Sequence, residues 1–294
     1  MQRDSFLRLM GLSSIGLSIS GLSSILDFST SLEKTDKMPT LFIGHGSPMN
    51  AIEKNTFVNR IQQLQSQLPV PKAIICISAH WLTNGTYVTA MENPKTIYDF
   101  HGFPNELYEV DYPAPGSPEL AASISSIVED IQIHHDLSWG LDHGTWSILR
   151  NIYPSANIPV LQLSIDWKKP LDFHVMLAKK LTMLRERGVL IIGSGNIVHN
   201  LGLVDFSKLN QVGYGFDWAI EAREFINDKI LKNDLNSLLK YQNGPNYLKL
   251  AIPSPDHYIP LLYVLGLRRN DDELTFFNDE LIAGSLSMTS IMLS

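Results

Sequence analysis

The chain has 294 residues, of which 44% are hydrophobic, and its formal net charge is −7. This length and composition suit one large domain or two ordinary ones and argue against a disordered protein. The negative charge, without a long run of Lys or Arg, argues against a nucleic-acid-binding surface. A single cysteine, Cys76, excludes an intramolecular disulfide and a thiolate-based zinc cluster, so any metal site must use His, Asp or Glu. Cys76 lies in an apolar run and is predicted to be a buried thiol.

The first 38 residues differ from the rest of the chain. A charged start, with Arg3, Asp4 and Arg8, precedes a run rich in Leu, Ile, Ser and Gly. The run resembles a leader, but it has no clear cleavage site and is too weakly apolar for a confident membrane span. Two interpretations stay open for residues 1–38: a segment that exports or tethers the protein, or a poorly ordered extension of a cytoplasmic one. The folded unit is predicted to cover residues 39–294.

From Pro39 onward, short apolar runs alternate with longer amphipathic ones, which is typical of βαβ units. We predict strands at Thr40–Ile43, Ala73–Ser78, Tyr87–Ala90, Val160–Ser164 and Val189–Ser194. We predict helices at Asn55–Gln67, Pro118–Val128, Gly144–Asn151, Pro170–Arg187, Gly215–Lys232, Asp234–Tyr241 and Pro255–Leu265. Ser117-Pro118 and Ser254-Pro255 are predicted N-terminal caps. The predicted fold is therefore α/β, a single domain with a central, mostly parallel or mixed sheet flanked by helices.

Histidines follow three of the predicted strands. His45 stands between Gly44 and Gly46 directly after the first strand, and glycines there let the backbone pass close to an ion or ligand. His80 follows the second strand, and His199 follows the strand that ends at Ser194. Because the carboxyl ends of parallel strands share one edge of a sheet, these imidazoles are predicted to converge there.

Five of the six remaining histidines divide into two groups. His143 and His257 lie at predicted helix starts, where they could join the cluster, whereas His134, His135 and His174 are interpreted as structural or solvated. Neutral imidazoles without thiolates suit Zn²⁺ or Fe²⁺, and two or three ligands leave positions for water or substrate. A histidine beside the ion is suited to proton transfer near neutral pH. The placement predicts a mononuclear metal site at the strand carboxyl ends.

Six short motifs, in this order, resemble the extradiol ring-opening dioxygenase family of the DOPA dioxygenase type, a distant relative of the catalytic subunit of protocatechuate 4,5-dioxygenase. The motifs are Gly44–Pro48, Ser78–Trp81, Tyr98–Gly116, Leu141–Trp146, Gly193–Asn196 with His199-Asn200, and Pro255–Tyr258. The resemblance covers almost everything after residue 38. It implies that His45, His80 and His257 hold one divalent metal ion, Fe(II) for ring opening or Zn(II) as in some relatives. It also implies that His199 is the acid/base residue, or a fourth ligand in zinc-loaded members, and that His143 supports the ligands or contacts the substrate.

The activity implied by this resemblance is cleavage of a catechol, a DOPA-like diphenol, by O2 to a muconic semialdehyde. The long segment Asp99–Gly116 fits neither helical nor strand periodicity and is either a loop over the site or a rigid surface loop. Its aromatic residues Phe100, Phe103, Tyr108 and Tyr112 would wall the substrate, whereas Trp81 and Trp146 are predicted core residues.

The implied partners are a small aromatic diphenol and O2, with a homo-oligomer left open. Two alternatives to the dioxygenase stay open at this point. One is a zinc-dependent hydrolase that uses the same histidines to activate water. The other is a non-catalytic metal-binding relative on the same fold.

Overall fold

The computed structural model describes residues 33–209 and 211–294. Most of the leader-like segment, residues 1–32, lies outside the described residues. Within the described part of the chain, no helix combines the length and the apolar character needed to cross a membrane.

Twelve strands are found in the described residues. In chain order they are β1 (Thr40–Gly44), β2 (Ala73–Ser78), β3 (Leu82–Thr83), β4 (Thr86–Thr89), β5 (Ile133–Asp136), β6 (Val160–Gln162), β7 (Ile165–Asp166), β8 (Val189–Gly195), β9 (Leu274–Phe277), β10 (Leu281–Ile282), β11 (Leu286–Ser287) and β12 (Ser290–Leu293). Six of them form the central sheet, in the order β6-β2-β8-β1-β12-β9. β6, β2, β8 and β1 are parallel, β12 pairs antiparallel with β1, and β9 pairs antiparallel with β12. The sheet is therefore mixed, as predicted.

The α-helices in the described residues are α1 (Thr56–Gln67), α2 (Asn105–Tyr108), α3 (Pro118–Ile127), α4 (His143–Ile152), α5 (Leu171–Leu181), α6 (Asp217–Leu231), α7 (Leu235–Leu239), α8 (Asn246–Ala251) and α9 (Ile259–Gly266). They cover both faces of the sheet. Every residue of β1, β2 and β8 is buried, because parallel strands with helices on both sides have no solvated face. Alternate side chains of these strands pack against α1 and α4 on one face and against α5 and α9 on the other.

The predicted single α/β domain is confirmed, and the predicted element boundaries need several corrections. The predicted helix Pro170–Arg187 is an α-helix over Leu171–Leu181 only. It continues as a 3₁₀ segment over Thr182–Arg187. His134 and His135, interpreted from the sequence as structural or solvated, lie inside β5, a strand that is not among the predicted ones and that pairs with β4. The cap at Ser117 is confirmed, since its hydroxyl accepts the backbone N–H of Leu120.

The predicted helix Pro255–Leu265 begins four residues late, because Pro255–Tyr258 form a turn instead. The carbonyl of Pro255 accepts the backbone N–H groups of both Tyr258 and Ile259, which closes that turn. The predicted cap at Ser254-Pro255 is therefore wrong. His257 lies in the turn before α9 rather than in the first turn of a helix.

Candidate metal centre and active site

The sheet brings all five histidines of the predicted site together. His45 directly follows β1, His80 lies two residues after β2, and His199 lies four residues after β8, which is hydrogen-bonded between those two strands. The ring centroid of His45 lies 5.0 Å from that of His80 and 5.3 Å from that of His257. His143 packs 3.9 Å from His80, and His199 stacks on His257 at 3.5 Å. The predicted convergence at the carboxyl ends of the strands is confirmed.

Three of these histidines present nitrogens to one another at a spacing that suits a metal ion. The ligand atoms of His45, His80 and His257 all lie within 4.8 Å of each other. The Nε2 atoms of His45 and His80 are 3.1 Å apart. Two nitrogens bound at roughly 2.0–2.1 Å to one ion, at angles between octahedral and tetrahedral, would be about 2.8–3.4 Å apart. The three imidazoles therefore fit a single ion.

The hydrogen bonds on the far side of each ring leave Nε2 free for such an ion. The Nδ1 atom of His45 lies 3.0 Å from the Ser194 hydroxyl, and that hydroxyl donates its own hydrogen to the carbonyl of Gly144. His45 must therefore donate from Nδ1, which leaves a lone pair on Nε2. The Nδ1 atom of His257 is hydrogen-bonded to Asp256 in the same sense. Such partners fix the tautomer and the orientation of a ligand histidine.

Burial and neighbouring imidazoles keep His45, His80 and His199 neutral. Burial, and then the neighbouring imidazoles, lower the pKa of His45 and of His80 well below the usual histidine value. Burial and the nearby His257 also lower the pKa of His199 to about 3. Neutral imidazole is the form that binds a metal ion and the form that can accept a proton. The donor set, nitrogen without thiolate, suits Zn²⁺ or Fe²⁺.

Two glycines allow the close packing on which this cluster depends. A Cβ atom on Gly195, at the end of β8, would lie 2.2 Å from the carbonyl oxygen of His257. A Cβ atom on Gly144 would lie 2.5 Å from the hydroxyl of Ser78 and 3.0 Å from the ring of His80. Glycine at these positions lets the backbone of the His257 turn and of α4 approach the strand ends.

The carboxylate of Asp99 was not predicted as a site residue. Its Oδ1 accepts the backbone N–H of His143 at 2.9 Å, and its Oδ2 accepts Nδ1–H of the same residue at 2.9 Å. The same Oδ2 lies 3.4 Å from Nδ1 of His80. Burial alone would raise the pKa of Asp99, but the hydrogen bonds from His143 outweigh it and lower the pKa. Asp99 lies within the motif Tyr98–Gly116, which was the available signal in the sequence.

His143 is held at the start of α4 by a second carboxylate. Asp142 caps this helix by accepting the backbone N–H of Thr145, and it also accepts hydrogen bonds from Ser78 and Gln162. Burial raises the pKa of Asp142 above its usual value. Asp142 thus connects the end of β2 to the start of α4. This fixes the position of His143, the first residue of that helix.

Aromatic residues of the predicted loop stand beside the histidines. Phe100 packs edge-on against His143, with ring centroids 5.6 Å apart, and Phe103 and Tyr108 pack on Phe100 at 5.3 and 5.1 Å. Tyr112 differs, because it is only 2% exposed and its hydroxyl donates to the backbone carbonyl of Tyr153. Its ring belongs to the core, so the structure does not support the prediction that Tyr112 walls a substrate.

The predicted core residues are confirmed. Trp81 and Trp146 are both buried, and the indole N–H of Trp146 donates to the carbonyl of Ile97. Cys76 is also buried, and burial raises its pKa well above the usual thiol value. These side chains stabilise the strands and the loop base around the site.

An α/β sheet with imidazoles gathered at its carboxyl edge is the arrangement of a metal-using enzyme. Residues 39–288 match the family model for the catalytic LigB subunit of aromatic ring-opening dioxygenase, and the chain belongs to this family, as an extradiol dioxygenase of the DOPA-dioxygenase type.

Curated relatives and one solved structure agree with this assignment. The chain is 42% identical, over 264 residues, to the 4,5-DOPA dioxygenase extradiol of Escherichia coli K12, covering 87% of this chain and 95% of the relative. It is 35% identical over 259 residues to the 4,5-DOPA dioxygenase extradiol of Beta vulgaris, covering 85% and 94%. A crystal structure of an uncharacterized protein from Escherichia coli K12 superposes with a TM-score of 0.76 at 39% identity, over 88% of this chain and 100% of that one.

Proposed function

We propose that this protein opens the aromatic ring of a catechol, a DOPA-like diphenol, with O2 to give a muconic semialdehyde. The observation that carries the proposal is the trio His45, His80 and His257, whose ligand atoms lie within 4.8 Å of one another in a ring-opening dioxygenase family. The names of the relatives support the substrate class, since both are described as acting on DOPA in the extradiol manner. The proposed catalytic domain is residues 39–294.

His45, His80 and His257 would hold the metal ion through Nε2. The donor set admits Fe²⁺ or Zn²⁺, and ring opening favours Fe²⁺ because the reaction uses O2. Bound there, the ion would favour the ionised diol and bring diol and O2 together. The reaction balances without another reductant, since the carbon–carbon bond next to the diol breaks and both atoms of O2 enter the product.

His199 is the proposed acid/base residue. Its ring lies flat against His257, so it stands beside the ligands, and it is neutral at neutral pH because of its lowered pKa. An unprotonated ring nitrogen of His199 would take a proton from a diol hydroxyl and return it later in the reaction. Phe100, Phe103 and Tyr108 would hold the face of the aromatic ring.

Oxygen consumption tests the proposal. Protein purified anaerobically and reconstituted with Fe²⁺ or with Zn²⁺ is mixed with a panel of catechols, and the yellow ring-opened product is followed by absorbance. We expect uptake of O2 with Fe²⁺ only. No uptake with either metal, together with stoichiometric metal binding that is lost in His45→Gln, would favour a zinc hydrolase or a non-catalytic relative.

His199→Phe tests the proton-transfer role separately. This variant should keep a normal metal content and lose turnover, because His199 contacts the ligands without being one of the trio. Metal content is measured by atomic absorption on the same samples. Undiminished turnover would contradict the assigned role.

A further inference from the structure

One carboxylate, that of Asp99, serves two histidines with different proposed roles. Both of its oxygens hold His143, one through the backbone N–H and one through Nδ1–H, each at 2.9 Å. Its Oδ2 also lies 3.4 Å from Nδ1 of His80, one of the proposed ligands. The ring centroids of the two histidines are 3.9 Å apart, so the carboxylate stands beside a packed pair.

These contacts determine which ring nitrogen of each histidine carries the hydrogen. An ionised carboxylate accepts hydrogen bonds and donates none. In the neutral ring of His143 the hydrogen therefore lies on Nδ1, which faces the carboxylate, and the lone pair lies on Nε2. For His80 the same partner favours Nδ1–H, which leaves bare the Nε2 that faces His45 at 3.1 Å.

Asp99 also connects residues Asp99–Gly116, here called the aromatic segment, to the histidines. The next residue, Phe100, packs its ring edge-on against His143. The base of the segment is closed by two hydrogen bonds, from the Tyr98 hydroxyl to the carbonyl of Val110 and from the Thr96 hydroxyl to Asp111, both 2.8 Å, and neither bond involves a histidine. Asp99 is therefore the contact that fixes the inner end of the segment.

We propose that Asp99 is a positioning residue that orients His80 and His143 with one carboxylate and holds the aromatic wall beside them. It sets His143 Nε2 as a hydrogen-bond acceptor for the substrate, and in this respect the inference rests on the proposed function. The orientation of the metal-binding His80 and the placement of the substrate are thereby coupled. A shift of the segment Asp99–Gly116 would move Asp99, and Asp99 is the carboxylate beside His80.

Asp99→Asn is the variant that separates this role from simple packing. Asparagine has nearly the same shape but one acceptor oxygen, so it cannot accept from both the backbone N–H and Nδ1–H of His143. We expect kcat for catechol cleavage to fall by about 10–100-fold, the usual effect of losing a partner of this kind. KM should rise as well, because the same carboxylate holds His143 and the aromatic wall, both of which contact the substrate in this proposal.

Asp111→Asn is the matched control. It makes the same chemical change in the same segment, at an exposed residue whose carboxylate accepts from the Thr96 hydroxyl and not from a histidine. Its kcat and KM should equal those of the wild type. Equal kcat values for Asp99→Asn and Asp111→Asn would overturn the inference.

A second readout does not depend on the reaction. Two-bond ¹H–¹⁵N spectra of the histidine rings in the metal-free protein distinguish Nδ1–H from Nε2–H. The wild type and Asp111→Asn should show His143 as Nδ1–H, and Asp99→Asn should show a mixture or the other tautomer. An unchanged His143 signal in Asp99→Asn would contradict the inference, whatever the activity assay gives. If the wild type consumes no O2 with any catechol, the proposed function fails and these spectra still decide the role of Asp99.

A double-mutant cycle shows whether Asp99 acts through His143. Asp99→Asn should cost much less kcat in a His143→Phe background than in the wild type, because the group it positions is already gone. Full additivity of the two losses would assign Asp99 another role. If Asp99→Asn does not fold, Asp99→Glu, which keeps two acceptor oxygens, replaces it in the spectra. It should keep the Nδ1–H signal of His143, and loss of that signal would contradict the inference.

Discussion

At the amino ends of β1 and β8 the sheet buries an ion pair, and at the carboxyl ends of the same strands it buries a cluster of imidazoles. The guanidinium of Arg185 meets Asp272 in a bidentate pair, with N–O distances of 2.6 and 2.8 Å, and neither side chain is exposed. Its remaining N–H groups donate to the carbonyls of Met38, Leu267 and Leu293. All five N–H groups of Arg185 are therefore matched by acceptors inside the protein, and Lys37 lies 2.7 Å from the same Asp272 as a second cation.

The carboxyl end is arranged in the opposite way. Ser194 and Asp256 take up the Nδ1 atoms of His45 and His257, but the Nε2 atoms of His45 and His80 face each other as two acceptors. Two acceptors cannot form a hydrogen bond with each other, so neither nitrogen satisfies the other. A bound metal ion would accept both lone pairs. The comparison teaches that burial of polar groups does not by itself mark a site. A binding site is marked instead by several hydrogen-bond acceptors that the fold points at one another without a donor between them.

The largest loss of stability should come from breaking the buried ion pair of Arg185 and Asp272 at the amino ends of the strands. Arg185→Met removes both guanidinium hydrogen bonds from the buried Asp272 and leaves Lys37, 2.7 Å from the same carboxylate, as a neighbouring cation. Losing one partner of a buried pair typically costs about 3–5 kcal/mol, and we place this loss at the lower end because Lys37 stays. We expect the free energy of unfolding, from urea titration of the metal-free protein, to fall by that amount. Lys34→Met is the control, because Lys34 is exposed and lies 3.9 Å from Glu186, a pair worth less than about 1 kcal/mol. Equal losses in the two variants would refute the contrast.

The histidine cluster at the carboxyl ends should instead gain stability when a metal ion binds. Zn²⁺ at about 100 times its Kd should stabilise the wild type by about 2.7 kcal/mol, and a chelator should remove this gain. His45→Gln should lose the gain while the metal-free protein unfolds much as before, because the imidazole it removes has no salt bridge to break. Thermal unfolding with and without Zn²⁺ measures both.

His101→Gln is the control for the metal experiment, since His101 is an exposed histidine of the same aromatic segment. Its response to Zn²⁺ should equal that of the wild type. A lost response in this variant would mean that the stabilising ion binds outside the cluster.

The sequence predicts the parts of both ends that depend on local pattern. The runs before His45 and His80 are continuously apolar, so β1 and β2, and the edge where their histidines meet, follow from periodicity and the geometry of parallel sheets. The pair Arg185–Asp272 and the contact of Asp99 with His143 join residues 87 and 44 positions apart. No local pattern encodes such contacts. They depend on how irregular segments are placed after the sheet has formed, and the turn that carries His257 was mistaken for a helix for the same reason.

A buried histidine outside the cluster, His174, tests whether burial and a lowered pKa are enough to mark a functional site. His174, on α5, is bonded through Nδ1 to the hydroxyl of Tyr263, and burial lowers its pKa to about 4. The folded state holds this ring neutral, whereas the unfolded chain protonates it below about pH 6.5. Stability is therefore unaffected by this group above pH 6.5 and is lost progressively as the pH falls towards 4.

At pH 5 the loss due to His174 should be about 2 kcal/mol relative to pH 7. His174→Leu should remove that part of the pH dependence in urea titrations of the metal-free protein, and the exposed His101→Gln should keep it. Binding of Zn²⁺ should be the same in all three proteins. If His174→Leu changed metal binding, burial alone could no longer be set apart from function at this position.

The smallest effect should come from Tyr112, which sharpens the boundary between core and site. Tyr112→Phe removes the buried hydrogen bond to the carbonyl of Tyr153, which should cost about 1 kcal/mol in the free energy of unfolding. KM for the catechol should not change, because the ring stays in the core. Phe100→Leu, on the residue that contacts His143, should raise KM instead. A raised KM in Tyr112→Phe with unchanged stability would move Tyr112 back into the substrate wall, and the aromatic segment would then bind substrate along a much greater part of its length.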